Sequence, residues 1–327
     1  MKFILKPLKV FLVLTLFFGM YACDDDDNDN VIEIEASISA LVQADNNLGA
    51  LADALFEANL ISEFEGTTEY TLLAPTNQAF TAFLLDNGWD NVSEIPDETL
   101  RKILLNHVIP GTYPASELNS QTTGYLTTAS NAGPNNTNVS TFFNALSGVS
   151  FNGGSSNGGA TVDEADIVAT NGIIHIVDAV IQLPDVTTFA AADPEFSTLV
   201  SALTDSTPST DFIGILSRDE GEYVDGINPP FTVFAPINSG FDAITLPTEE
   251  GEVAAILQTH VVTNANLTSA TLTNGTVTTL NGDVTIDTTG PTLEGAGNTS
   301  ATAILTTDIQ ATNGVIHVIE EVLLPAN

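Results

Sequence analysis

The sequence predicts an α+β protein that is built from two copies of one domain. Two long stretches almost repeat each other: DIVATNGIIHIVDAVIQLP begins at residue 166, and DIQATNGVIHVIEEVLLP begins at residue 308. Two shorter stretches recur in the same order, TLLAPTNQAF with TVFAPINSGF and ILLNHVIPGTY with ILQTHVVTNAN. A shared order with changing spacing is typical of a duplicated domain whose insertions differ between the copies.

The first 22 residues have the pattern of a secretory signal peptide. Three lysines precede the apolar segment 10–20, which is too short to span a bilayer permanently. The following stretch, GMYAC, resembles the lipobox of bacterial lipoproteins, in which the cysteine is lipidated and becomes the mature N-terminus. Cys23 is the only cysteine of the chain, so we expect a lipid anchor there and no disulfide. An ordinary secreted protein with a spare thiol is the alternative.

An acidic tether is predicted at residues 23–33, which contain the run DDDDNDN. The run lacks the turn glycine and closing glutamate of an EF-hand loop, and its like charges repel each other and favour an extended segment. Acidic residues after a lipidated cysteine also resemble the surface-export signals of Bacteroidetes lipoproteins. That resemblance implies an exported protein, anchored to the outer membrane and displayed at the cell surface.

The charge balance argues against a nucleic-acid partner. Removal of the signal peptide leaves Arg101, Lys102 and Arg218 against 42 acidic residues, a formal net charge of −39. Nucleic-acid binding needs clusters of lysine and arginine that neutralise phosphates. We therefore expect no nucleic-acid partner.

Each copy opens with a helical pattern, which sets the domain boundaries at 34–184 and 185–327. The first copy has apolar residues at intervals typical of a helix: Leu41, Leu48, Leu51, Leu55 and Leu60. The second copy opens equivalently with DVTTFAAADPEF, directly after Pro184. We expect each copy to fold alone as an α+β domain.

The first motif of each copy predicts a strand that meets a proline and then a helix. In the first copy, Thr76 or Asn77 is expected to cap that helix. In the second copy Ile237 has no side-chain oxygen, so Asn238 or Ser239 is expected to cap the helix instead. Four residues of this motif are identical in the two copies: Thr71 and Thr232, Pro75 and Pro236, Asn77 and Asn238, and Phe80 and Phe241.

The closing segment of each copy predicts a tight turn followed by a buried strand. Asn171 with Gly172, and Asn313 with Gly314, are expected to supply the positive backbone torsions of the turn. The residues that follow are apolar and mostly β-branched, as in a strand buried on both faces. A proline near the end of each segment, such as Pro184, is expected to end the strand.

All four histidines of the chain lie at equivalent motif positions, His107 with His260 and His175 with His317. A histidine in an apolar strand is most simply a buried neutral ring that donates one hydrogen bond to a carbonyl. Two histidines could bind zinc, but no third ligand follows at a suitable spacing. A general base would need a partner that repeats in both copies, and none does. We predict no catalytic residue, no metal ligand and no cofactor, with a metal site or a catalytic role as the alternatives.

Together these motifs resemble those of the fasciclin (FAS1) domain, over both copies almost from end to end. The central motif of that family is matched from Leu104 onwards, through His107, Gly111 and Tyr113. The second copy departs from it, because TNAN stands after His260. The resemblance implies tandem domains, each a β-sheet wedge with packed α-helices. It also implies adhesion at the cell surface through protein or glycan ligands. A structural protein of the envelope, matrix or biofilm without a discrete ligand is one alternative, and a metal-dependent enzyme is another.

The predicted lipid anchor depends on the thiol of Cys23. We expect Cys23→Ser to release the protein into the soluble fraction or to leave it unprocessed, because a hydroxyl does not replace the thiol that the lipid is transferred to. Fractionation with detection of the lipid measures this. A normally processed, membrane-bound Cys23→Ser protein would contradict the anchor.

Overall fold

The computed structural model describes residues 36–219, 221 and 226–326. The predicted signal peptide, Cys23 and the acidic tether lie outside the described residues and stay predictions. Both predicted domains lie in one structural unit, which spans Ile34–Asn327.

The first domain begins with two helices and ends with two long strands. Its helices are α1 (Ile38–Ala44), α2 (Gly49–Glu57), α3 (Asn77–Asp86), α4 (Asp97–Asn106) and α5 (Ala115–Gln121). Its strands are β1 (Tyr70–Pro75), β2 (Val108–Pro110), β3 (Thr123–Thr127), β4 (Ser140–Asn144), β5 (Ser150–Phe151), β6 (Ala160–Ala169) and β7 (Gly172–Val177).

The second domain has the same succession of seven strands, but three helices precede its first strand and, in the described chain, no α-helix lies between its second and third strands. Its helices are α6 (Val186–Ala192), α7 (Ser197–Thr204), α8 (Phe212–Leu216), α9 (Asn238–Asp242) and α10 (Glu250–Gln258). Its strands are β8 (Phe231–Pro236), β9 (Val261–Val262), β10 (Gly275–Thr279), β11 (Gly282–Asp287), β12 (Thr292–Gly295), β13 (Thr302–Ala311) and β14 (Gly314–Ile319).

Each domain contains a seven-stranded sheet whose two ends approach each other. The order is β2-β1-β7-β6-β5-β4-β3 in the first domain and β10-β11-β12-β13-β14-β8-β9 in the second. The pairs β1–β7 and β8–β14 are parallel, and the other pairs are antiparallel. At the seam the Ala129 N–H donates to the Val108 carbonyl (2.7 Å), and the Leu280 N–H donates to the Val261 carbonyl (2.8 Å). The strong curl encloses apolar side chains inside the sheet, which makes each domain an α+β wedge.

Apolar side chains pack on both faces of each sheet. In the first domain the larger cluster packs the opening helices against β1 and β7, and it includes the predicted helical residues Leu48, Leu51 and Leu55. The smaller cluster lies inside the curl and includes Phe143 and Phe151. The second domain repeats this division. The central strands β7 and β14 are buried along their whole length, as their continuous apolar runs predict.

The predicted caps of the motif helices are half correct. The Thr76 hydroxyl accepts from the Ala79 N–H (3.2 Å) at the start of α3, as expected. In the second domain Ile237 itself occupies the cap position, and no side chain caps α9. The prediction for Asn238 and Ser239 is therefore wrong. The α9 helix has only five residues, against ten in α3, as a helix without a capping oxygen is less stable.

One further expectation for the closing segments is wrong, and another is only partly correct. The strands end at Val177 and Ile319, well before the prolines, because the following residues leave the sheet to bond a histidine ring described below. Asn171 and Asn313 do not adopt positive φ, and of the two glycines only Gly172 does, with φ 138°. Both glycines are also required for close approach. A Cβ on Gly172 would lie 1.9 Å from the Tyr70 carbonyl oxygen, and one on Gly314 would lie 2.3 Å from the Phe231 oxygen.

The two domains are joined by direct contacts. The Thr312 N–H donates to the Pro184 carbonyl (2.8 Å), and the Gln310 N–H donates to the Ser140 hydroxyl (3.0 Å). Phe142 of the first domain is buried within the main apolar cluster of the second. The chain enters the second domain through Asp185, whose carboxylate caps α6.

The structure generates a prediction about the second domain alone. We expect chains 184–327 and 186–327 both to unfold in one cooperative transition, because the domain contains its own sheet and two apolar clusters. The shorter chain lacks Asp185, so it should be less stable by about 1 kcal/mol, the typical contribution of a helix cap. Urea denaturation followed by circular dichroism measures both. A gradual, non-cooperative transition in the longer chain would contradict an autonomous domain.

Candidate functional site

His107 and His260 follow the last turn of α4 and α10, and both rings are bonded at each nitrogen. His107 Nδ1 lies 2.8 Å from the Ile103 carbonyl oxygen, and its Nε2 accepts from the Ile181 N–H (2.8 Å). His260 Nδ1 lies 2.8 Å from the Ile256 oxygen, and its Nε2 accepts from the Leu323 N–H (2.9 Å). Because a backbone N–H donates to Nε2, the proton of each neutral ring is on Nδ1. Each histidine thus joins a helix end to the segment that follows the last strand.

His175 and His317 lie on the central strands β7 and β14, opposite Leu73 and Phe234 in the parallel pairs. His175 Nε2 donates to the Tyr113 carbonyl (2.9 Å), and its Nδ1 accepts from the Asp166 N–H (3.2 Å). His317 Nε2 donates to the Leu267 carbonyl (2.7 Å). These contacts agree with the predicted structural role, a neutral ring that ties the strand to a neighbouring loop.

Burial sets the protonation of all four rings. It lowers the pKa of His107 and of His260 to about 4, and the carbonyl acceptor of each ring only partly opposes this effect. Burial also lowers the pKa of His175 and of His317, against weaker opposing effects of the carbonyls and of nearby Asp166 and Asp308.

Asp166 and Asp308 are structural residues beside these histidines that the motif analysis missed. Both have φ 64° at the irregular part of a long strand, where the register of β6 or β13 shifts. Asp166 accepts from the Ala115 N–H (2.9 Å), and Asp308 accepts from the Ser269 N–H (2.7 Å). They open the two repeated stretches DIVATNG and DIQATNG, so their repetition was the signal that could have identified them.

The motif threonines hold the loop that carries the carbonyl acceptors. The Thr71 hydroxyl donates to the Gly111 carbonyl and accepts from the Tyr113 N–H, both at 2.9 Å. The Thr232 hydroxyl makes the same two bonds, to the Ala265 carbonyl (2.8 Å) and from the Leu267 N–H (2.9 Å).

The departure of the second copy from the central motif has a structural explanation. Gly111 has φ 97°, and Asn264 takes the equivalent left-handed position with φ 56°. Asparagine tolerates this region better than most residues. One inserted residue then brings Leu267 to the position of Tyr113. The loop therefore keeps its hydrogen bonds, although its sequence TNAN does not resemble PGTY.

The motif asparagines bond the backbone of neighbouring helices. Asn77 Oδ1 accepts from the Ala50 N–H (2.8 Å) in the first turn of α2, and Asn238 Oδ1 accepts from the Thr198 N–H (2.9 Å) in α7. The closing asparagines act in the same way.

The closing asparagines are almost completely buried. Asn171 accepts from the Ile38 N–H (2.9 Å), and Asn313 accepts from the Val186 N–H (3.0 Å). The remaining motif residues end β1 and β8 (Pro75 and Pro236) or fill the cores (Phe80 and Phe241).

The arrangement links elements of the fold and leaves its polar groups little freedom for chemistry. Each histidine is at most 3% exposed and bonds backbone groups. Among the described residues, no group of three or more His, Cys, Asp or Glu side chains is placed to hold a metal ion. In the same part of the chain, no helix has both the length and the apolarity needed to cross a bilayer.

This framework belongs to a known class of α+β domain. The sequence model of the fasciclin domain family matches residues 46–184 and 194–325, so the chain belongs to the fasciclin family. Fasciclin domains are typical of cell-adhesion and extracellular-matrix proteins.

The chain is also similar in sequence to several fasciclin-domain proteins. The chain is 29% identical over 274 residues to a fasciclin-like arabinogalactan protein of Arthroderma benhamiae, covering 79% of this chain and 59% of that protein. It is 27% identical to human periostin over 70% of this chain, but this match spans only 24% of periostin. A solved FAS1 domain pair of the insect cell adhesion molecule fasciclin I is 22% identical, covering 88% of this chain and 95% of that one, with a TM-score of 0.44.

The buried histidines predict a specific pH dependence of stability. The pKa of His107 and of His260 is lower in the folded state than the ordinary value of 6.5. The unfolded chain therefore binds more protons as the pH falls. Their stabilising contribution is complete above pH 6.5 and is lost as the pH falls towards 4.

We expect each ring to account for a loss of roughly 2–3 kcal/mol of unfolding free energy between pH 7.5 and 4.5. His107→Gln and His260→Gln should each be less stable than wild type at pH 7.5 and show a flatter pH dependence, since glutamine does not titrate. Urea denaturation at several pH values measures the difference. Parallel pH curves for wild type and both variants would rule out this role.

Proposed function

We propose that this chain is a lipid-anchored adhesion protein of the cell surface, which binds protein or glycan ligands through its two fasciclin domains. The observation that carries the proposal is the internal use of the shared motif residues. Their hydroxyls, amides and rings bond the protein's own backbone, so the motifs maintain the fold. Ligand binding then falls to surface residues in which the two copies differ.

A groove between the domains provides such a surface. It has a volume of about 700 Å³, and seven of its eleven lining residues lie outside the repeated stretches. Ile103, Gln182, Leu183 and Thr312 lie within them. Aromatic, polar and charged side chains line it together, among them Trp89, Asn87, Lys102 and Gln182 of the first domain and Asp219 and Thr312 of the second. A flat aromatic ring beside hydrogen-bonding groups suits a sugar ring, which has apolar faces and a polar rim. We place the glycan site in this groove.

The anchoring part of the proposal is supported by the sequence. The lipobox-like GMYAC and the acidic run after it favour an exported lipoprotein of the Bacteroidetes type, attached to the outer membrane through Cys23. A formal charge of −39 on the mature chain repels other acidic surfaces and is screened in a salty medium. A structural role in the envelope, matrix or biofilm is the second candidate, favoured by the direct hydrogen bonds and apolar contacts between the domains.

Arrays of glycans and extracellular matrix proteins, probed with the chain from residue 24 onward, test the proposal. We expect saturable binding to at least one arrayed class, and Trp89→Ala should lower glycan affinity about tenfold, the usual effect of removing a stacked aromatic ring. Phe56→Ala is the matched control, because this aromatic side chain is 71% exposed and lies outside the groove.

Thermal unfolding of each variant checks that the fold is kept, since Trp89 also packs against Phe83 with ring centroids 5.8 Å apart. Absence of binding on every array would favour the structural role. Glycan binding that Trp89→Ala leaves unchanged would place the glycan site outside the groove.

A further inference from the structure

A tyrosine of the first domain is inserted into a pocket of the second. The Tyr125 hydroxyl donates to Asp193 Oδ2 (2.8 Å), and its ring meets Phe189 edge-on with centroids 5.8 Å apart. Its cross-strand neighbour Phe142 contacts the Tyr125 ring (5.0 Å) and is buried in the same cluster. The apolar cluster against which Tyr125 packs also includes Ala192, Phe196, Ile309 and Ile316. Together with Phe189 and Asp193, we call these residues the filled pocket.

The first domain has the equivalent residues around an open groove of about 250 Å³. We call them the open pocket: Leu41, Ala44, Asp45, Leu48, Ile167 and Ile174. They correspond to the filled pocket one by one. Four pairs differ by 148 in residue number, and the two isoleucine pairs differ by 142, as does the repeated closing segment. As expected for an unoccupied pocket, Ala44 is exposed, whereas its counterpart Ala192 in the filled pocket is only 8% exposed.

The polar group of the open pocket has the same geometry as that of the filled one. Asp45 and Asp193 each follow the first helix of their domain, with almost identical backbone angles. Oδ1 of Asp45 accepts from the Asn47 N–H (2.8 Å), and Oδ1 of Asp193 accepts from the Glu195 N–H (3.0 Å). Oδ2 of Asp193 accepts from Tyr125. Within the described chain, Oδ2 of Asp45 has no such donor.

In the described part of the second domain, the hairpin that corresponds to the Tyr125 hairpin carries no aromatic residue. At the seam of each sheet, Ala129 corresponds to Leu280, and the same offset of 151 places Thr276 at the position of Tyr125. The cross-strand partner of Thr276 is Thr285, which stands where Phe142 stands in the first domain. Both threonines are exposed.

We propose that the open pocket binds a tyrosine side chain presented by a β-hairpin of a partner protein, in the way that the filled pocket binds Tyr125. The phenol ring lies on the apolar side chains, and its hydroxyl donates to Oδ2 of Asp45. The partner is a different protein, because the described hairpin at the corresponding position of this chain carries threonines. The site shares no residue with the glycan groove, so the two proposals fail independently.

Methyl NMR of the chain from residue 24, titrated with N-acetyl-tyrosine amide, tests the pocket. We expect saturable shifts at the Ile167 and Ile174 methyl groups and none at Ile309 and Ile316, whose pocket is already occupied. N-acetyl-phenylalanine amide should bind roughly fivefold more weakly, because it lacks the hydroxyl. Absence of a saturable shift at Ile167 and Ile174, or equal shifts at both pairs, would overturn the proposal.

A matched pair of variants adds a control for the fold. Ala44→Arg places a long side chain in the open pocket and should reduce the affinity at least tenfold. Ala82→Arg makes the same exchange at an exposed position of α3 outside the pocket and should leave the affinity unchanged. An equal loss in both variants would contradict a local site.

A designed hairpin tests the recognition of protein partners. Thr276→Tyr combined with Thr285→Phe recreates the Tyr125–Phe142 pair on the exposed hairpin of the second domain. We expect this double variant to associate head to tail in sedimentation experiments, and Ala44→Arg in the same chain should prevent the association. Association that Ala44→Arg does not affect, or no association, would count against the open pocket as a tyrosine site. Wild-type self-association that Ala44→Arg blocks would identify a second copy as the occupant and overturn the choice of a different protein.

Discussion

A buried histidine that follows a helix is the interaction on which each domain depends. The ring of His107 donates back to α4 and accepts from the segment after β7, while its own carbonyl accepts from the Leu73 N–H of β1 (2.8 Å). His107 thus connects α4, β1 and the segment that follows β7. A neutral imidazole can do this because it carries one donor and one acceptor on opposite sides of a rigid ring. Protonation removes the acceptor, and burial opposes protonation.

The two domains keep these hydrogen bonds while their sequences change. The Thr232 hydroxyl bonds a loop that lacks the glycine and the tyrosine of its counterpart and is one residue longer, yet it reaches the same two backbone groups. A side chain that bonds the backbone is indifferent to which residue supplies the carbonyl or the N–H. This explains why Thr71, Asn77, Asn171 and the histidines repeat in both copies, whereas Gly111 and Tyr113 do not.

The sequence was sufficient to predict the duplication, the α+β class, the buried central strands and the neutral histidines, because each depends on a local pattern. It was insufficient where the reason lies in another element. Gly172 and Gly314 look like turn glycines, but only Gly172 has a positive φ, and at both positions a carbonyl on the adjacent parallel strand excludes a side chain. The prolines that close the repeated segments look like strand ends. The strands end earlier, because the residues that follow β7 and β14 hydrogen-bond the histidine that follows a distant helix. Tyr125 and Asp193 are 68 residues apart and belong to different domains, so no motif connects them.

The contact between the domains is asymmetric, and this has a geometric consequence. A hairpin of the first domain fits a pocket of the second, so the two use different faces of the same fold. In a heterologous contact of this kind, the accepting face of the first domain and the presenting face of the second domain remain free. If these two free faces were complementary, copies of the chain would assemble head to tail into rings or filaments. Here the free presenting face carries Thr276 and Thr285 in place of an aromatic pair, whereas the free accepting face keeps its apolar residues and its carboxylate. Loss of the aromatic pair from the presenting face is sufficient to prevent head-to-tail assembly, and the accepting face retains the features of a binding surface.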